Sequence, residues 1–296
     1  MDFLKKIKLY SELFRVQQWT KNGFVFAAVI FSGKFLEHTT LLQSIFACII
    51  FCLLASAIYI INDIIDKNND AAHPIKKLRP ITSNKISIPK ACTIAFTLLF
   101  IAFLSSYFLN HVFFVFTLLY LLLNIAYSLL LKKIVIIDVL AVAANYIIRI
   151  LAGAAVIQVS ITPWFLIAST FLAIFLALGK RKHELTLLGV YSKNHRSILS
   201  EYDQYFLDQL ITITSSSTII IYSLYTFDQH TKELLRTEYM PYTIPFVLFG
   251  VFRYLYIIHH KESGGNPTEV LLHDPSLLVT VMLWIGTIVT IIVTSK

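Results

Sequence analysis

The sequence predicts an all-α, polytopic membrane protein with nine transmembrane helices, and three observations carry that prediction. Hydrophobic residues make up 57% of the 296-residue chain, against roughly 45–50% in soluble domains. Charged residues make up only 14%, where about a quarter is usual. The remaining observation is a series of apolar runs, each long enough to cross about 30 Å of hydrocarbon. This composition excludes a soluble globule, a disordered chain, a disulfide scaffold and a nucleic-acid module. The net charge of +8 therefore reads as an excess of loop cations on one side of a membrane, with no nucleic-acid partner.

The elements follow in order. Residues 1–21 mix Leu4, Ile7, Leu13, Phe14 and Trp19 with basic residues, which suits an amphipathic cytoplasmic segment lying on the inner leaflet. The candidate spans lie near 23–40, 41–62, 91–109, 112–131, 134–158, 162–179, 208–227, 241–258 and 276–294. Lys34 and Glu37 interrupt the first, which is the weakest, yet it reads as a retained span and not a cleaved signal. Pro163, Pro241, Pro245 and Pro275 fall at or near span starts, where a missing N–H costs least. With no repeat or low-complexity tract, residues 1–296 read as one transmembrane domain. Cys48, Cys52 and Cys92 lie inside apolar runs and read as small hydrophobes.

Lys and Arg are divided unevenly between the two sides of these spans, nineteen against four, with Arg149 and Arg253 inside spans. The positive-inside rule then places the N-terminus in the cytoplasm and, across nine spans, the C-terminus outside the cytoplasmic membrane.

The chemistry gathers on the positive side. Residues 62–70 read NDIIDKNND at the end of the second span, with Asn62, Asp66 and Asp70 at i, i+4 and i+8 and Asp63 beside that stripe. Three carboxylates so close repel unless a cation neutralises them. Hard oxygen donors favour Mg2+ over zinc, and Mg2+ favours carboxylates combined with phosphate oxygens, so a diphosphate ligand is expected. Asn62, Asp63, Asp66 and Asp70 are the expected metal ligands.

This N-D-x-x-D-x-x-x-D pattern after the second of nine spans resembles the first aspartate-rich motif of the UbiA superfamily of intramembrane prenyltransferases. The resemblance implies a UbiA-like helical bundle, with the motif binding Mg2+ and the diphosphate of an isoprenoid donor. A second aspartate-rich motif, expected after the sixth span, is missing. The chain reads LGKRKHEL there, with Lys180, Arg181 and Glu184. Cations in that place suit a substrate with additional phosphates.

RVQQWTKN (15–22), NDIIDKNNDAAHPIKKLRPI (62–81), YSLLLKKIVIIDVLAVAANYIIRILAGA (127–154), FLALGKRKHEL (175–185) and GGNPTEVLLHD (264–274) are similar to the branch of that superfamily that handles phosphoribosyl groups. That resemblance implies transfer of 5-phosphoribosyl from phosphoribosyl pyrophosphate to a polyprenyl, decaprenyl-like phosphate, releasing pyrophosphate. The acceptor oxygen is already ionised near neutral pH, so no general base is required. Two further phosphates call for cations, and Lys21, Lys76, Lys77, Arg79, Lys132, Lys180 and Arg181 are the candidates. Tyr127 with Lys132 resembles the tyrosine–lysine element of the superfamily's loop after the fourth span.

On the fifth span Asp138, Asn145 and Arg149 share a face, and Arg149 lies about 16 Å deeper than Asp138 at about 1.5 Å per residue. An arginine at that depth faces the protein interior or a wet cavity: it either meets substrate or buttresses helix packing through backbone carbonyls. Asp138 is expected to meet Lys132 or a substrate hydroxyl, and Asp63, Asp66, Asp138 and Lys132 are the expected catalytic set. Arg253 is expected to snorkel at the inner interface. A prenyltransferase using a prenyl diphosphate and a small aromatic or glycerol-phosphate acceptor stays open, as does a lipid transporter. A homo-oligomer is also compatible with the sequence.

Overall fold

The computed structural model describes residues 3–71, 76–188, 201–260 and 267–295, and among them every regular element is helical. Parts of the quoted HPIKKLRP and GGNPTEVLLHD segments, with Lys193, Arg196 and Lys261, lie outside the described residues. Among the described residues, eight helices are long and apolar enough to cross a membrane. An amphipathic helix, α1 (Phe3–Phe14), precedes them. It buries Leu13 against Ile60 and Ile81 and leaves Leu4 and Ile7 exposed among lysines.

The weak first run is the ninth element, and it is broken. It comprises a 3-10 helix Val16–Phe26, a short α2 (Ala27–Phe31) and a 3-10 turn Lys34–Leu36. Gly33 separates the last two at φ 68°, a left-handed conformation that glycine adopts without strain. The run survives in the interior because it packs on its neighbours. The carbonyl oxygen of Val25 would stand 2.1 Å from a Cβ at position 153, so only Gly153 permits that approach.

The long helices are α3 (His38–Ile65), α5 (Ile88–Leu109), α6 (His111–Leu129), α7 (Ile137–Val156) and α8 (Pro163–Leu188). They continue with α9 (Gln204–Phe227), α11 (Ile244–His260) and α13 (Pro275–Thr294). Short helices α4 (Lys67–Ala71), α10 (Gln229–Leu235) and α12 (Pro267–His273) lie between them. Asn110, Asp203 and Asp274 cap the starts of α6, α9 and α13, each accepting the N–H three residues on.

Sequence neighbours pack as pairs, α3 on α5, α6 on α7 and α8 on α9, while α7 joins them by touching α3 and α8. Phe51, Leu54 and Phe113 fill one side of the core, and Phe175, Leu207 and Tyr254 the other. α5 and α6 are little buried by protein and turn Phe96, Phe100, Phe108 and Leu122 outward, as lipid-facing helices do. Both α3 and α8 outrun their apolar stretches. Their polar last turns stay helical because Asp63 and Arg181 there are buried with partners of opposite charge. That extension builds the site.

Candidate active site

The end of α3 carries Asn62 and Asp63, Asp66 caps it, and α4 continues the same spiral. Asp66 N–H donates to the Asn62 carbonyl and Asp70 N–H to the Asp66 carbonyl, both at 2.8 Å. The expected single stripe of Asn62, Asp66 and Asp70 divides in two. Seven residues bring a helix back to within about 20° of its starting face, whereas eight overshoot by about 80°. Asp70 therefore shares its face with Asp63, not with Asn62.

Asp63 and Asp70, both buried, converge on one guanidinium. Arg79 Nη1 donates to Asp63 Oδ1 at 3.0 Å and also to Asp70 Oδ2. Arg15 Nη2 adds a second donor to Asp63 while its guanidinium lies over the Tyr59 ring, 4.8 Å from the centroid. Lys76 Nζ stands 3.9 Å from Asp70. On the other face Lys132 Nζ reaches both oxygens of Asp66, at 3.3 and 3.4 Å. Asn62 Oδ1 accepts the Ser128 hydroxyl at 2.6 Å. Lys77 is exposed on the neighbouring 3-10 turn, and Lys21 is half-buried on the broken first run.

A second polar cluster joins α7 to α8. Asp138, wholly buried, accepts Arg181 Nε at 2.6 Å on Oδ2 and the Tyr202 hydroxyl at 2.7 Å on Oδ1. Arg181 also donates to Glu184 and, at 3.1 Å, to the Tyr127 hydroxyl. Lys180 lies 3.7 Å from Glu184, and Lys182 turns away to Asp208. The expectation that Asp138 meets Lys132 is corrected: Lys132 belongs to Asp66. Arg181 reaches Asp138 first because α8 continues past the apolar run alongside the start of α7.

Arg149 is separate from both clusters. Its Nε donates to Asn22 Oδ1 at 2.9 Å, Nη1 to the Asn145 carbonyl at 2.8 Å and Nη2 to the Tyr120 hydroxyl at 2.6 Å. Asn145 offers it only backbone, since Asn145 Oδ1 accepts Asn124 Nδ2 at 2.6 Å. Asp138, Asn145 and Arg149 share a face of α7 but no hydrogen-bond network, and neutral oxygens of α6, α7 and the first run hold the arginine. Of these three partners only the Asn145 oxygen is a backbone carbonyl of the kind the buttressing alternative expects. Arg253 does more than snorkel: it makes a two-point pair with Asp274 at 3.0 and 2.9 Å.

Arg15, Ser128 and Tyr202 belong to these clusters but are not among the expected site residues. Each stands more than forty residues from its partner in the chain, so no local spacing signals it.

Asn62, Asp63, Asp66 and Asp70 suit Mg2+ in kind, as hard oxygen donors with no His or Cys among them. Among the described residues, no three Asp, Glu, His or Cys side chains form a ready cage for an ion. The carboxylates are instead matched by Arg15, Arg79 and Lys132, whose side chains are each about a quarter exposed. Asp63 and Asp70 are themselves buried, so their cations can leave only as another positive charge takes their place, and the donor set fits a metal that arrives together with phosphate.

Fold and site together define a class, membrane-spanning helical bundles with an acid–base cluster at one end. Within it, the profile of the UbiA prenyltransferase family matches residues 23–183, and the chain belongs to that family. The decaprenyl-phosphate phosphoribosyltransferase of Mycolicibacterium smegmatis is 30% identical over 285 residues, covering 93% of this chain and 89% of the relative. Its namesake from Corynebacterium glutamicum is 29% identical over 93% of this chain and 84% of the relative. Among solved structures, a UbiA homolog from Archaeoglobus fulgidus bound to GPP and Mg2+ superposes with a TM-score of 0.72, at 17% identity, over 97% of this chain and 99% of that one.

Proposed function

We propose that this protein transfers 5-phosphoribosyl from phosphoribosyl pyrophosphate to a polyprenyl phosphate and releases pyrophosphate. One observation carries the reading: the acidic end of α3 is ringed by Arg15, Lys76, Arg79 and Lys132, more cations than a diphosphate leaving group needs. The relatives named for decaprenyl-phosphate phosphoribosyl transfer support it. A prenyl-diphosphate enzyme would call for a second set of free carboxylates after α8. Here Glu184 is paired with Arg181, and Asp203 caps α9.

In the reaction an ionised oxygen of the lipid phosphate forms a bond to ribose C1 as the bond from C1 to the pyrophosphate oxygen breaks. Pyrophosphate leaves with that electron pair. A phosphate monoester is largely dianionic near neutral pH, so no base is needed. Asn62, Asp63, Asp66 and Asp70 are the residues to hold Mg2+, which supplies charge stabilisation at the leaving oxygens. As phosphate oxygens arrive, Arg79, Lys76 and Lys132 pass from carboxylate to phosphate partners, keeping their charge-assisted hydrogen bonds throughout. The buried Asp138–Arg181 pair holds the wall behind them. The charge asymmetry supports a cytoplasmic orientation for this end of the bundle and for the N-terminus.

Membrane vesicles test donor and orientation together. Inside-out vesicles should label added decaprenyl phosphate from radiolabelled phosphoribosyl pyrophosphate, and sealed right-side-out vesicles should not. Label entering lipid from a prenyl diphosphate, with none from the ribosyl donor, overturns the reading.

A further inference from the structure

The start of α7 is strained. Ile136 lies at φ 69°, ψ −45°, and Ile137 N–H donates back to the Val135 carbonyl at 2.8 Å. This is the γ-turn of positive φ, rare in any sequence and especially unfavourable for a β-branched residue. Backbone in such a state persists only where its surroundings hold it, and it collects at functional sites.

One side chain does the holding. The Tyr202 hydroxyl accepts the Ile136 N–H at 2.7 Å and donates to Asp138 Oδ1 at 2.7 Å, which uses its single proton and an oxygen lone pair. Burial pushes the Tyr202 phenol above its ordinary range, so it keeps that proton at neutral pH. Phe206 stacks beside the ring with centroids 6.3 Å apart, and that contact does not depend on the hydroxyl. Upstream of the strained residue, within the single 3-10 turn Leu131–Lys133, stands Lys132 with its ammonium on Asp66. Downstream stands Asp138 on Arg181. A rotation at Ile136 shifts both.

We propose that Tyr202 is a positioning residue for the transfer: by pinning the strained turn at Ile136, it sets Lys132 against Asp66 and Asp138 against Arg181. The proposal rests on the transfer reading above only in taking Asp66 and Lys132 as site residues. Tyr202 acts through these groups and is not assigned a contact with substrate.

The test compares the full-length protein in lipid nanodiscs with Tyr202→Phe and with Tyr202→Phe/Ile136→Gly. Hydrogen exchange at the Ile136 amide, measured without substrate, should quicken about tenfold or more in Tyr202→Phe, as expected for losing one buried hydrogen bond. In the transfer assay kcat should fall about tenfold, with KM for phosphoribosyl pyrophosphate within about twofold. Glycine adopts this φ without strain, so adding Ile136→Gly should restore kcat to within about threefold of wild type. An unchanged Ile136 exchange rate overturns the proposal. So does an unchanged kcat, or a lowered kcat that glycine fails to recover. Should the wild type label lipid only from a prenyl donor, the substrate reading fails alone, and the same kcat comparison is made with that donor.

Discussion

Two acid–base clusters sit at the same end of this bundle and are built in opposite ways. At the end of α3, Asp63, Asp66 and Asp70 are met by Arg15, Arg79 and Lys132, whose side chains keep 25%, 26% and 24% of their surface exposed. Between α7 and α8, Arg181 and Asp138 keep 2% and 0%. Long cations at the water's edge exchange one anionic partner for another with little desolvation. A buried guanidinium held at all three nitrogens by Asp138, Glu184 and Tyr127 is costly to pull away. The comparison separates a site that can change partners from a brace that cannot. Arg181, one of the expected phosphate-binding cations, has its guanidinium on Asp138.

The largest effect that can break this comparison is on stability. Arg181→Ala strands the Asp138 carboxylate in the protein interior, and losing one partner of a buried pair costs about 3–5 kcal/mol. Thermal unfolding in detergent should show that loss, and Asp138→Leu added to Arg181→Met should recover much of it. Wild-type stability in Arg181→Ala would put both clusters in the same exchangeable class.

Asp66→Asn should show the reverse pattern. Its pair with Lys132 is partly exposed, so stability should change by less than about 1 kcal/mol. Transfer activity should fall about a hundredfold or more, near 2.7 kcal/mol in kcat/KM. Substantial turnover at limiting Mg2+ would remove Asp66 from the metal site. The smallest effect is expected at Lys180, which is 43% exposed beside Glu184. Lys180→Ala should raise the KM for phosphoribosyl pyrophosphate about tenfold, the worth of one charge-assisted hydrogen bond, and leave unfolding unchanged.

The places where sequence and structure part all involve partners remote in the chain. The positions of the long helices were legible to within a few residues, except where α8 extends past its apolar run through Arg181. Apolar length and helix period are local properties, and proline marks the starts of α8 and α13. The acid end of α3 was equally legible, because Asn62, Asp63, Asp66 and Asp70 within nine residues stand out after a long apolar run. The i+8 stripe was not. At that spacing a small error in angle decides which face Asp70 occupies, and the structure gives it to Arg79 beside Asp63.

By itself, then, the sequence determined that this is a helical membrane protein with its charged chemistry at one end, because hydrophobic length and charge bias need no tertiary contact to be read. Tertiary structure alone decided which cation meets which carboxylate. It did so by placing Arg15 from the N-terminal segment on Asp63, Arg181 instead of Lys132 on Asp138, and Tyr202 under Ile136. Such choices follow from how helices far apart in sequence lie against one another, and a buried charge accepts whichever partner that packing brings within hydrogen-bond reach.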